Sequence, residues 1–295
     1  MKIIILIITV LFASNLTAQE NMQSKKINEI ILGKLNQIEG DKAVFFLNLE
    51  TGEEIKFNEK EKFHAASTMK VPVMLELYRQ ASVGLFSLID SIIVRNEFKS
   101  IADGSSYKMN IADDSDNEIY DLIGKKLTVY ELNHRMITKS SNLATNILIE
   151  FVGVDNIMKT MKSIGANDIR VLRGVEDIPA YRKGMNNTTT AKDLCLVLKS
   201  ILDYKVVNEK LSNEILSVLE AQEHNDIIPE QLPKNVKVAH KTGWITGVMH
   251  DAGVVILPDG RKYILVLLTK NLTNEEKSKK ILQEISLEFY KYFLR

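Results

Sequence analysis

Apolar residues recur at helical spacing through Ile27, Ile30, Ile31, Leu35 and Ile38, which predicts an amphipathic helix whose stripe is suited to packing on a sheet. Two strands follow, Ala43 to Leu49 and Glu54 to Phe57. The segment Glu50-Thr51-Gly52-Glu53 between them suits a hairpin turn because its glycine tolerates left-handed backbone. Near the other end, Val236 to His240, Ala252 to Leu257 and Lys262 to Thr269 read as three more strands, the last two joined by the turn Pro258-Asp259-Gly260-Arg261. From Asn274 to Leu294 the positions of Ile281, Ile285, Leu287, Phe289, Tyr290 and Phe293 return to a helical repeat. The middle, about Ser67 to Lys205, lacks strand alternation and carries helical segments such as Val71 to Gln80, Thr128 to Met136 and Asn142 to Phe151.

Strands from both ends and helices from the centre predict an α/β (α+β) fold. A five-stranded antiparallel sheet is flanked by N- and C-terminal helices, an all-helical lobe is inserted, and a cleft lies where the two meet. The expected lobes are residues 19–66 with 206–295, holding the sheet, and residues 67–205, holding the helices. The polar stretch Ile101 to Glu118, with Asp103-Gly104-Ser105-Ser106 and Asp113-Asp114-Ser115-Asp116, reads as an exposed, solvated loop.

Composition narrows the function. The 295 residues are 45% hydrophobic, enough for a full core, and 38 basic residues balance 38 acidic ones. Without a Lys/Arg-rich run nothing suggests a nucleic-acid surface, and a small-molecule substrate fits better. The first eighteen residues read as an export signal: Lys2 starts it, Ile3 to Phe12 form a short apolar stretch, and Leu16-Thr17-Ala18 offers a cleavage site. A secreted or periplasmic protein without a stable membrane anchor is expected, and a monomer. Cys195, the only cysteine, admits no intramolecular disulfide and falls in an apolar helical run as an inert core thiol.

The chemistry resides in four short motifs: Ser67-Thr68-Met69-Lys70, Ser140-Ser141-Asn142, Glu176 in an acidic loop, and Lys241-Thr242-Gly243. A serine hydroxyl is a poor nucleophile until a base takes its proton, and on a helix Lys70 lies one turn from Ser67 on the same face. A desolvated lysine beside a second cation loses its proton more readily, so Lys70 is expected neutral near pH 7 if Lys241 is close. Taken alone, Ser-x-x-Lys fits a capping serine and a solvated lysine, and Glu176 a solvated loop acid. The histidines His64, His134, His224, His240 and His250 show no metal-ligand spacing, so neither metal nor cofactor is expected. His240 reads as an ordinary hydrogen-bonding strand residue. No Gly-x-Ser-x-Gly elbow and no phosphate-binding glycine pattern is present.

In this order the motifs resemble the Ser-x-x-Lys, Ser-Asp-Asn and Lys-Thr-Gly signature of class A β-lactamases and penicillin-binding proteins. The resemblance runs from about Ala43 to the C-terminus. It implies that Ser67 is the acylated nucleophile, Lys70 its proton partner and Ser140 the donor to the departing β-lactam nitrogen. Asn142 would contact Lys70 and the substrate amide, Lys241, Thr242 and Gly243 would bind the substrate carboxylate, and the backbone N–H groups of Ser67 and Trp244 would form an oxyanion hole. Asn186 to Leu194 resembles the end of the family's omega-shaped loop and the helix after it. That frame puts Glu176 where class A enzymes carry the glutamate that activates the deacylating water, with Arg173 expected to pair with a carboxylate. Two departures stand out: Ser141 replaces the aspartate of Ser-Asp-Asn, and Ala180 stands where the family has a water-holding asparagine. The implied activity is serine β-lactamase. The same residues would also serve a D-alanyl-D-alanine peptidase or serine esterase, or a penicillin-binding module without turnover.

Overall fold

The computed structural model describes residues 22–295, so the expected signal segment 1–18 lies outside the described residues. Five strands, β1 (Asp41–Asn48), β2 (Glu54–Phe57), β3 (Lys237–Ile245), β4 (Val248–Ile256) and β5 (Lys262–Lys270), form one antiparallel sheet in the order β2-β1-β5-β4-β3. Alternation along the strands explains why both faces are covered. Phe45, Ile264, Val266 and Leu268 point into one core, whereas Val44, Phe46, Leu265 and Leu267 point into another.

The second core is closed by α1 (residues 22–35) and α9 (Glu275–Phe293), whose Ile27, Ile31, Leu35, Ile285 and Phe289 are buried against the sheet. Phe46 stacks on Phe289 with ring centroids 4.7 Å apart. The first core joins the sheet to the central helices: α2 (Lys70–Ser82), α3 (Val129–Thr138), α4 (Asn142–Val152), α5 (Val154–Ser163), α6 (Ile178–Arg182), α7 (Ala191–Leu202) and α8 (Glu209–Glu220). Helix α2 is buried nearly all round, because Val71, Val73, Met74, Leu75, Leu77 and Tyr78 meet neighbours on every side. Cys195 on α7 is buried and its thiol is pushed up to about 12 by that burial, which makes it unreactive.

Two expectations need correction. Strands β3 and β4 extend beyond the apolar runs that predicted them, so Lys241, Thr242, Gly243 and Trp244 all lie within β3. The stretch Ile101 to Glu118 is exposed over most of its length, as expected, but two of its acids are buried and not solvated. Residues Phe98–Lys99 pair with Ser106–Tyr107, 3-10 turns follow at Ile111–Asp113 and Asn117–Leu122, and Asp114 and Asp116 are 7% and 1% exposed. Partners from other elements make that burial tolerable: Arg135 on α3 donates to both oxygens of Asp116 at 2.8 Å, and the first N–H groups of α4 bond to Asp114.

Candidate active site

Ser67 lies in a one-turn 3-10 helix, Ala66–Met69, that runs directly into α2. Thr68 Oγ1 closes the turn by donating to Ala65 O at 2.6 Å. Lys70, one turn beyond Ser67, is fully buried, and its Nζ donates to Ser140 O at 2.7 Å and Asn142 Oδ1 at 3.0 Å and lies 3.1 Å from Ser140 Oγ. Among the described residues no carboxylate comes within ion-pair distance of it. Burial therefore lowers its pKa to about 7, although the fields of Asp114 and Glu176 oppose the shift. A neutral amine has two N–H groups for the two carbonyl-type acceptors and a lone pair left for a hydroxyl proton.

Ser140 and Asn142 are presented at the start of α4. Ser141, standing where the signature has aspartate, caps the helix by accepting from Ala144 N at 3.3 Å. Asp114 reaches the same helix end, accepting from the N–H groups of Asn142 at 2.9 Å and Leu143 at 2.8 Å. No spacing in the sequence ties Asp114 to α4, and it was missed there. A run of acids with Asp at alternate positions was the only local sign.

Strand β3 forms the opposite wall. A side chain at Gly243 would come within 3.1 Å of Ser67 N and 3.2 Å of Ala66 Cβ, so glycine is what lets this strand edge lie against the serine turn. Lys241 is fully buried, with Nζ donating to Thr242 O at 3.1 Å. Burial first, and the charge of Lys70 second, hold its pKa well below the usual lysine range. Trp244 is 62% exposed at the rim, and its Nε1 donates to Glu275 Oε2 at 2.9 Å. Glu275 also accepts from Gly247 N at 2.7 Å, tying the β3–β4 turn to α9, a link no motif announced. His240 is hydrogen-bonded as a strand histidine should be, with Nδ1 2.8 Å from Asp251 Oδ1 and Nε2 3.0 Å from Asn225 Oδ1.

Glu176 arrives on a loop. Its backbone is left-handed at φ +61°, and its carboxylate accepts from Asn110 N at 3.3 Å and Asn142 Nδ2 at 3.5 Å. Burial, reinforced by Asp113 and Asp114, raises its pKa against those two weak hydrogen bonds. The loop is clipped by Asn146 on α4, which accepts from Val175 N at 2.6 Å and donates to Val175 O at 3.0 Å. Arg173 departs from expectation and pairs with no carboxylate among the described residues. It donates to Met185 O and Gly174 O, both at 2.9 Å, because Asp177 is already engaged by Ser100, Ile101 N and Ala180 N. Ala180 lies in α6, is 0% exposed and lines neither cavity described next. Downstream, Thr190 caps α7, its side chain accepting from Asp193 N.

These pieces surround a cleft of about 860 Å³ lined by Ser67, Ser140, Asn142, Glu176, Thr242, Gly243 and Trp244. A second cavity of about 300 Å³ adjoins it under the Glu176 loop, lined among others by His64, Ser67, Glu176, Tyr181 and Ile245. Of the nine residues expected to be catalytic or substrate-binding, seven line the larger opening and Lys70 and Lys241 lie buried beneath it. Six non-glycine residues among those described have left-handed backbone, and three of them, Ala66, Ser140 and Glu176, belong to this site.

Comparison with known proteins follows the same lines. The family model described as "Beta-lactamase enzyme family" matches residues 22–293. Beta-lactamase VEB-1 of Pseudomonas aeruginosa is 24% identical, covering 100% of this chain and 99% of its own length. The extended-spectrum beta-lactamase PER-1 of the same organism is 22% identical over 95% of this chain and 90% of its own. Among solved structures, TLA-1 extended spectrum beta-lactamase superposes with a TM-score of 0.79 at 19% identity, covering 92% of this chain and 99% of that one. PBP-A superposes with a TM-score of 0.77 at 22% identity, over 92% and 96%.

Proposed function

The chain belongs to the β-lactamase enzyme family, and from that premise we propose that it hydrolyses the β-lactam amide of penicillins and cephalosporins through an ester on Ser67. Neutral Lys70 takes the Ser67 proton as Oγ attacks the carbonyl carbon. The amide C–N bond then breaks, and the proton passes through Ser140 to the leaving nitrogen. The N–H groups of Ser67 and Trp244 receive the oxyanion. Glu176 then takes a proton from water as the new oxygen–carbon bond forms, and when the ester bond to Ser67 Oγ breaks that proton is returned to Oγ, which restores the hydroxyl and the free carboxylate. Lys241, buried with no carboxylate among the described residues within ion-pair distance, gains a counterion from a substrate carboxylate that also bonds Thr242.

The observation that carries this reading is the Lys70 amine, buried one turn from Ser67 and hydrogen-bonded to Ser140 and Asn142. Intact mass after exposure to penicillin tests it: one adduct on the wild type and none on Ser67→Ala is expected, and an unmodified wild type overturns it. Hydrolysis of a chromogenic cephalosporin tests release. An adduct that never leaves would instead indicate the peptidase, esterase or penicillin-trapping alternatives, which the lack of an amide at Ala180 favours. The reading includes export by residues 1–18, a monomer, and a sheet lobe of residues 19–66 and 206–295 meeting a helical lobe of 67–205 at the cleft. No described helix is long and apolar enough to cross a membrane.

A further inference from the structure

The turn that presents Ser67 begins with a residue in an unfavourable conformation. Ala66 has φ +44°, a region that costs an alanine free energy and persists only where neighbours hold it. The neighbour is His64: its Nδ1 accepts the Ala66 N–H at 3.1 Å. A nitrogen that accepts carries no proton, so the imidazole is the neutral Nε2–H tautomer. The rest of the segment is fastened separately. Ala65 N donates to Asn187 O at 2.9 Å, and the carbonyl of His64 accepts from His250 Nε2 at 2.8 Å. Facing a carbonyl, His250 Nε2 must carry the proton of that bond, while its Nδ1 lies 3.2 Å from Thr269 N and 2.9 Å from Met249 O.

We propose that His64 is a positioning residue for acylation, whose neutral imidazole locks Ala66 in its left-handed conformation and so sets where the Ser67 hydroxyl and N–H stand. The inference rests on the acyl-transfer reading of the site. Position matters here because β3 allows no slack: the Cβ that Gly243 lacks would sit 3.1 Å from Ser67 N and 3.2 Å from Ala66 Cβ. A proton on Nδ1 would turn the acceptor into a donor facing the Ala66 N–H, and the turn would relax.

The groups around His64 favour the neutral ring. Burial lowers its pKa first and the Arg173 guanidinium second. His250, behind its carbonyl, is itself held near 4 by burial and is neutral. Lys270 sits 4.8 Å from the ring of Phe63, and Glu176 shares the smaller cavity as the one nearby acid of its lining.

Acylation rates on single mixing with penicillin, taken across pH, test this with His64→Asn, His64→Ala and His64→Ala/Ala66→Gly. Asparagine keeps an acceptor where Nδ1 stands but does not titrate, so its rate should match wild type above pH 7 and exceed it increasingly as the histidine protonates. His64→Ala should acylate roughly ten- to hundredfold more slowly, as expected for a lost hydrogen bond on a strained turn. Ala66→Gly should then restore most of the loss, because glycine needs no brace at φ +44°. A pH-independent ratio of wild type to His64→Asn, or full acylation by folded His64→Ala, overturns the proposal. Should the wild type take no adduct, the activity reading fails by itself. The brace is then decided by nitrogen NMR of His64, where a proton on Nε2 with a protected Ala66 amide supports it and a proton on Nδ1 overturns it.

Discussion

The two halves of the cleft hold their chemistry in different ways. On the serine side Lys70 and Asn142 stand at the starts of α2 and α4 with Ser67 and Ser140 in the turns just ahead of them, Lys70 is fully buried, and its contacts with Ser140 and Asn142 are 2.7 to 3.1 Å long. On the glutamate side the carboxylate hangs from a left-handed loop residue, with hydrogen bonds of 3.3 and 3.5 Å and with Arg173 spent on backbone carbonyls. Groups on packed helices keep their geometry, whereas loop groups depend on a few clips such as Asn146. The expected consequence is kinetic: ester formation is built in firmly, and ester hydrolysis depends on the looser half.

The largest break in this contrast comes from Lys70→Ala. Losing the general base should slow acylation by about 10²–10⁴-fold, read as the rate of adduct formation by quenched-flow mass spectrometry. The fold should survive, because the variant removes a buried amine that has no counterion. Wild-type acylation by this variant would remove Lys70 from the mechanism. The wild-type rate should climb as pH rises towards 7 and then level, since a pKa lowered to about 7 leaves the amine charged below that pH and neutral above it.

Glu176→Gln comes next and should act on the other half. Adduct should form at nearly the wild-type rate but persist, with release slowed by at least about a hundredfold. The pH dependence has a definite sign. Because burial raises the Glu176 pKa, its basic form is lost sooner as pH falls than for an ordinary glutamate, so release should weaken at a higher pH than an unperturbed carboxylate would give, in a range where acylation has already declined through charging of Lys70. Equal slowing of both steps would mean that Glu176 also serves acylation, and the contrast between the two halves would weaken.

Much of this was legible before any coordinates. Strand alternation gave five strands, and the helical repeats gave α1, α2 and α9, because one-sided burial writes a period into the chain. The reacting side chains were legible because Ser67 and Lys70, or Lys241 to Gly243, are neighbours along one element. Asp114, Asn146, Glu275 and His64 were not read as parts of the site, because each acts on a residue placed against it by the fold. His64 is the instructive case: it stands only two positions before Ala66, yet nothing in the letters indicates that Ala66 is left-handed. Within the otherwise exposed residues 101–118, Asp114 and Asp116 were misread for a related reason, since acids look solvated until Arg135 and the start of α4 are brought to them.

Ala180→Asn has the smallest expected effect on rate and tests the contrast most finely. Counting along the chain, this position lacks the amide that the family uses to hold water, so restoring asparagine looks like a repair. The structure argues otherwise. Ala180 is 0% exposed within α6 and lines neither cavity, so a new amide would enter packed surroundings away from the space where water could reach it. An unsatisfied buried amide costs about 1–3 kcal/mol, which should appear as a lower Tm. A well-placed hydrogen bond to the hydrolytic water is worth about 1 kcal/mol, or several-fold in release, but from this site less than about a threefold change is expected. A larger acceleration of adduct release with no loss of Tm would show that the Glu176 loop re-forms around an added amide, and that its looseness is a missing contact and not a property of the fold.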